Sequence, residues 1–433
     1  MKTITPKIAV ITLGCAKNVV DSEELLRQID SSDYSIVNNP DDANVVVINT
    51  CGFINDAKSE SIDTILQAAE LRKSGKLDKL VVMGCLSERY KADLQKEIPE
   101  VDAFIGANKI DVVTNELGIN FRYELLGERH LTTPSHYAYL KISEGCDNPC
   151  SFCSIPIMRG KHISKPLERV VKEAERLVAL GVKELILIAQ DTTYYGLDIY
   201  GKRSLKELLE RLSKIDEVEW LRLMYAYPAK FPLDILDLFV GNNKLCKYID
   251  IPVQHIADKV LKSMQRGISS RETRKLLEKI KSKVPGIALR TSLIVGYPTE
   301  GEKEFDELVD FVKEFEFDRL GVFSYSQEEN TIAEPLGDPV PDEIKEARKN
   351  KIMEIQSEIS FKKNRNLVGS EMKVIVDSKT ASAAYCRSEF DAPEVDNEII
   401  VEPPAHIKVG NFYKVTIVDN FEYDLFAEIK KQK

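Results

Sequence analysis

Three cysteines fall within eight residues in "EGCDNPCSFCSIP", Glu144 to Pro156, spaced C-x3-C-x2-C at Cys146, Cys150 and Cys153. Thiolates are soft ligands that suit iron–sulfur clusters and zinc. A four-iron cluster normally takes four cysteines, so three leave one iron open to another ligand. Phe152 sets an apolar ring beside Cys153, able to cover a cluster or a bound nucleoside. A structural zinc site needs a fourth donor. The nearest, His162, lies nine residues past Cys153, beyond the usual finger spacing.

Three further cysteines, Cys15, Cys51 and Cys85, are far apart in sequence but alike in setting. Each ends an apolar, β-branched run: "KIAVITLGC", "ANVVVINTC" and "KLVVMGC". Helical stretches follow them: "DSEELLRQI" with Asp21 and Ser22 as cap candidates, "SESIDTILQAAELRKSG", and "SERYKADLQKEI" before a fourth strand, "VDAFIGA". This alternation predicts a parallel sheet flanked by helices. The C-terminal ends of such strands share one edge, where ligands bind, so the three thiols are expected to converge there. Cys246 and Cys386 match no ligand pattern and read as core residues.

Six more strand-like runs lie between Ser135 and Leu367, separated by amphipathic helices, a partial (βα)6 barrel pattern. The three-cysteine loop follows the first of these strands. Gln190, Asp191, His255 and Ser292 also fall at strand ends, where barrel enzymes bind ligands, and are candidate cofactor contacts. The plainer reading is a satisfied buried histidine and ordinary strand-end polar residues. A long closing helix ends at Gly369, and short β-rich runs from Ser370 onward predict a small antiparallel barrel. The fold class is therefore α/β: an N-terminal parallel-sheet domain, a TIM-like partial barrel and a C-terminal β-barrel.

At 433 residues, 43% hydrophobic and 30% charged, the chain suits a globular protein of two or three domains. No apolar run approaches the ~20 residues of a membrane span, and the start reads as a strand rather than a signal peptide. A cytoplasmic location is expected. Eight cysteines there point to metal or catalytic use, not disulfides. The net charge of −10 disfavours generic binding of nucleic-acid phosphates and suits a basic partner.

C-x3-C-x2-C at the end of a barrel's first strand resembles the signature of the radical S-adenosylmethionine enzymes. With three spaced N-terminal cysteines and a last domain that looks like a TRAM domain, the whole chain resembles the methylthiotransferases of that superfamily. "LGCAKNVVDSE", "KISEGCDNPCSFCSIPIMRGKHIS", "AQDTTYYGLD" and "DAPEVD" are similar to the branch acting on a ribosomal protein rather than on tRNA. Departures are Ala16 for proline, Lys165 for arginine, and Asn330 and Ile332 in "YSQEENTIA".

The resemblance implies domains at 5–122, 132–367 and 368–433. It implies two 4Fe–4S clusters, one held by Cys146, Cys150 and Cys153 with S-adenosylmethionine on the open iron. The other, held by Cys15, Cys51 and Cys85, carries or donates sulfur. One S-adenosylmethionine supplies a methyl group and another a 5′-deoxyadenosyl radical, cleaved from it by the reduced cluster. The implied substrate is an aspartate β-carbon in the twelfth small-subunit ribosomal protein, with a cytoplasmic electron donor as second partner. Rival readings are a tRNA enzyme of the same chemistry and a non-catalytic electron carrier with two clusters.

Charge bears on the partner. From Ser370 to Lys433, eight Lys or Arg stand against twelve Asp or Glu, a net of −4. "SEFDAPEVDNEIIVE" concentrates six carboxylates. A module gripping tRNA would be basic. This run reads either as a solvated acidic face or as an attractor for a lysine- and arginine-rich loop.

Overall fold

β1 (Lys7–Thr12), β2 (Ser35–Ile36), β3 (Val45–Thr50), β4 (Lys79–Gly84) and β5 (Ala103–Ile105) form a parallel sheet in the order β2-β1-β3-β4-β5. The structure, a computed structural model, describes residues 5–404 and 406–429. The last four residues of the expected C-terminal domain lie outside them. The near-continuous Val and Ile runs suit strands covered on both faces. Helices α1 (Ala16–Asp30), α2 (Asn55–Lys73), α3 (Cys85–Glu97) and α4 (Ile110–Glu116) supply that cover. Only the two-residue edge strand β2 was without a sequence signal.

The start of α1 differs from expectation. It begins at Ala16 with Cys15 as N-cap, so Asp21 and Ser22 sit inside the helix, buried, and do not cap it. Long-range partners explain their polarity. Ser22 accepts a hydrogen bond from Asn49 at 3.0 Å, and Asp21 is paired with Lys141 and with Arg159 (3.0 Å).

The barrel opens with β6 (Tyr137–Lys141). The cysteine loop follows, framed by a two-stranded ribbon, β7 (Ser143–Glu144) and β8 (Ile163–Ser164), and closed by the short helix α5 (Ile155–Arg159). β9 (Glu184–Ile188), β10 (Trp220–Leu223), β11 (Leu245–Asp250), β12 (Ala288–Val295) and β13 (Arg319–Ser324) complete an all-parallel, six-stranded sheet. Its outer face packs Leu, Ile and Val against amphipathic helices such as Leu167–Ala179 and Glu302–Phe315. Cys246 and Cys386 are buried in apolar clusters, as expected.

β14 (Glu371–Lys379), β15 (Ala384–Ser388), β16 (Ile399–Val401), β17 (Phe412–Asn420) and β18 (Leu425–Ile429) close into a barrel in the order β14-β15-β16-β18-β17. Four seams are antiparallel; β16 and β18 run parallel because β17 intervenes between them in sequence but not in space.

The inner face of the six-stranded sheet is filled from two sides. Tyr137, Tyr139, Ile186, Trp220, Met224 and Tyr248 form one cluster with Val20 of α1 and with Ile375, Phe390, Ala392 and Phe412 of the C-terminal barrel. Here the acidic run departs from both sequence readings. Asp391 is 2% exposed and paired with Arg319. Asp396 accepts a hydrogen bond from Tyr248 (2.7 Å) and meets Arg290 at 3.3 Å. Only Glu394, Glu398 and Glu402 of the six carboxylates are exposed. A buried carboxylate needs a cation, and the barrel strands supply it.

No helix among the described residues is long and apolar enough to cross a membrane.

Candidate active site: two thiol triads at one seam

Each N-terminal cysteine stands where its strand hands over to a helix. Cys15 caps α1, Cys51 follows β3, and Cys85 opens α3. Gly14, at φ +90°, presses so closely that a Cβ there would lie 2.6 Å from the Cβ of Cys51. Asn18 ties the same turn down, donating to the carbonyls of Leu13 (2.7 Å) and Thr50 (3.1 Å). Burial pushes the Cys85 thiol up to about 12; the Arg159 guanidinium, hydrogen-bonded to it, pulls it down, and the nearby Cys15 and Cys51 raise it again. Cys51 is likewise raised, mainly by burial. The three distant thiols therefore do converge.

The second triad occupies the loop between β7 and α5. Burial raises Cys146 to about 11 and Cys153 to about 12, and Cys150 adds to both. Cys150 Sγ accepts a hydrogen bond from Arg266 at 3.1 Å and lies 3.5 Å from the Tyr227 hydroxyl. Thiols held protonated by burial become ligands by releasing protons as metal enters. Among the described residues, no three Cys, His, Asp or Glu converge on one point fit for a single ion. His162 is engaged elsewhere, with Nε2 3.0 Å from Ser164 Oγ. Three soft thiols in each group are the donor chemistry that a three-cysteine cluster takes.

The triads meet through α5. Ile155 and Met158, just past Cys153, pack against Cys85. Arg159 reaches Asp21 and Asn18 on α1 and Glu144 beside the cysteine loop (3.0 Å). Lys141 bridges the same carboxylates, meeting Glu144 at 2.8 Å. Two cations and two anions, nearly free of solvent, thus lock the N-terminal domain onto the barrel.

Gly145 makes the loop testable. At φ +70°, an added Cβ would lie 2.0 Å from the Lys161 carbonyl oxygen. The adjacent Cys146 N–H donates to the Gly160 carbonyl at 3.1 Å. Gly145→Ala is expected to break this bond and roughly halve the iron bound after anaerobic reconstitution, one of two clusters being lost. Full loading of the variant would show that the loop is not pinned there.

Residues 7–106 match the uncharacterised protein family UPF0004, 140–312 the radical SAM superfamily, and 368–429 the TRAM domain. A ribosomal protein uS12 methylthiotransferase RimO from Flavobacterium psychrophilum is 54% identical over 98% of both chains. Its counterpart from Bacteroides thetaiotaomicron is 49% identical, again over 98% of both. The chain belongs to the RimO family of ribosomal protein uS12 methylthiotransferases. Among solved structures, the radical S-adenosylmethionine methyltransferase TsrM from Kitasatospora setae, with cobalamin and a [4Fe-4S] cluster bound, superposes with a TM-score of 0.57. That alignment covers 76% of this chain and 77% of that one at 14% identity, a likeness of fold alone.

The other sequence candidates fall in three settings. Gln190 and Asp191 buttress the cysteine loop: Gln190 donates to Glu144 at 2.7 Å, and Asp191 accepts from Asn148 at 2.8 Å. Phe152 packs on Ala257, Val260, Met264, Tyr297 and Tyr325, anchoring the loop's far side. Ser292 is half-buried on β12, on the face shared with Ala288 and Arg290. His255 is fully buried, with Nδ1 accepting from the Ala257 N–H (3.0 Å) and Nε2 3.3 Å from Glu300. Lys17, Arg159 and Arg266 were missed. They lie in a helix or a loop, and only their spatial neighbours mark them.

Proposed function

We propose that this chain methylthiolates the β-carbon of an aspartate in ribosomal protein uS12, in the cytoplasm, with electrons from a cytoplasmic donor. The observation that carries the reading is the meeting of two three-cysteine groups across α5, in a chain of this family. Cys146, Cys150 and Cys153 would hold a 4Fe–4S cluster together with S-adenosylmethionine, and Cys15, Cys51 and Cys85 a second cluster. When bound, these groups supply radical hydrogen abstraction, sulfur and a methyl group. The domains that carry them are proposed to span 5–122, 132–367 and 368–433.

The chain's own residues position and enclose. Lys141, Arg159, Asp21 and Glu144 tie the two triads together, since removing any one member leaves a net charge uncompensated at the seam. Arg266 donates a hydrogen bond to Cys150 Sγ at 3.1 Å and so fixes where that sulfur points. The aromatic inner face of the sheet and the docked C-terminal barrel pack together as one buried apolar cluster.

The test is mass spectrometry of uS12 from cells with and without the gene, followed by the reconstituted enzyme acting on purified uS12. A methylthio group on one aspartate, present only with the gene, is the expected result. Modification of tRNA in place of uS12 would overturn the substrate, leaving the radical chemistry intact. Clusters without cleavage of S-adenosylmethionine would favour the electron carrier.

A further inference from the structure

Lys17 is a cation of α1 that the ion network around Asp21 and Glu144 does not absorb. It lies two residues after Cys15 in the first turn of α1 and is 8% exposed. Its neighbours Lys141 and Arg159 share Asp21 and Glu144. Among the described residues, no oxygen takes a hydrogen bond from the Lys17 ammonium, and no carboxylate pairs with it. The ammonium lies instead over a ring: Nζ stands 3.2 Å from the centroid of Tyr225.

Tyr225 is itself held in an unusual state. It sits just past β10 at φ +58°, its N–H donating to Asp250 at 3.1 Å. A bulky residue in the left-handed region is strained, and such strain persists where the surroundings over-determine it. Tyr225 belongs to the aromatic cluster that lines the sheet's inner face, with Tyr139, Met224 and Val20. Across that cluster the C-terminal barrel offers an opposite charge. Glu394, at φ +69°, brings its carboxylate to 3.3 Å from the Tyr137 hydroxyl and 3.4 Å from that of Tyr139. All three domains thus meet in one packed cluster at the inner face of the sheet.

A nearly buried ammonium that no carboxylate pairs with is unfavourable, and a ring face offsets only part of its lost hydration. Such a group binds a carboxylate strongly when one arrives, because the cost of burying the cation is already met. We infer that Lys17 receives the side-chain carboxylate of the target aspartate, fixing its β-carbon between the two thiol triads and making the site prefer aspartate to asparagine. The inference rests on the proposed substrate and adds the residue that recognises it. One oxygen pair on the ammonium leaves the methylene directed away from Lys17, as modification of that carbon requires.

The experiment uses reconstituted full-length enzyme and two forms of uS12, one with the modified aspartate located by tandem mass spectrometry and one with asparagine in its place. Binding is measured anaerobically without S-adenosylmethionine, and methylthiolation in its presence. Wild type should prefer the aspartate form by about ten- to a hundredfold, the range of one charge-assisted hydrogen bond. Lys17→Met keeps the apolar stem over Tyr225 and should lose that preference, with the asparagine form bound as by wild type. Lys17→Arg should restore part of it. Iron and sulfide content report that each variant is folded and loaded. An unchanged preference in Lys17→Met would overturn the assignment, as would a variant altered only in the KM for S-adenosylmethionine, which would place that molecule's carboxylate on the lysine. Wild type that modifies no uS12 would instead defeat the substrate reading, and this inference with it.

Discussion

Cys150→Ala is expected to abolish cleavage of S-adenosylmethionine to 5′-deoxyadenosine under dithionite, whereas Cys51→Ala retains part of it and loses methylthiolation. The asymmetry follows from where the triads touch. They meet at Cys85 and Arg159, against Ile155 and Met158 of α5. Cys51 packs beside Gly14 in the N-terminal domain, so its loss leaves the Cys146–Cys153 loop and its buttresses in place. Cys150 is faced by Arg266 and Tyr227. Alanine there removes a proposed ligand and leaves the Arg266 guanidinium without its sulfur acceptor. Wild type should load about eight irons per chain and each variant about four. Normal methylthiolation by Cys51→Ala, or active wild type saturating at about four irons, would contradict two clusters with separate tasks.

Glu184→Gln is expected to destabilise the docking of the C-terminal barrel by about 3–5 kcal/mol, the range for breaking a buried ion pair by removing one partner. Glu184 is fully buried at the start of β9. Its two oxygens are shared between Arg222 at 2.7 Å and Arg387 at 2.8 Å. Arg387 continues to Asp377, which accepts from His136 at 2.7 Å. A neutral amide would leave two buried guanidiniums short of an anion. Burial raises the Glu184 carboxyl, but Arg387 and Arg222 outweigh it and hold the group below its ordinary value. A depressed carboxylate contributes stability above its unfolded pKa of about 4.3 that is lost as pH falls through the folded value. Chemical denaturation from neutral pH downward should therefore show a steeper acid-dependent loss in wild type than in Glu184→Gln. A variant within about 1 kcal/mol of wild type at neutral pH would show that the network is dispensable.

What could be read from the chain alone was what local pattern determines. Val- and Ile-rich runs alternating with amphipathic stretches specify parallel strands and covering helices, and a cysteine just past such a strand is placed at the sheet's ligand edge by the strand itself. That is why Cys15, Cys51 and Cys85 could be grouped, and why the loop at Cys146–Cys153 could be set at the barrel's mouth. Charge was a different matter. Asp21 looked like a helix cap and proved to be a buried counter-ion of Arg159, 138 residues away. Asp391 and Asp396 looked like surface and proved to be the partners of Arg319 and Arg290. Lys17, without a carboxylate among the described residues, was not marked at all. A charged side chain is buried or solvated according to which opposite charges the fold brings to it. Those partners come from other domains, so only the tertiary structure decides which charges are spent on holding the triads together and which are left to meet a substrate.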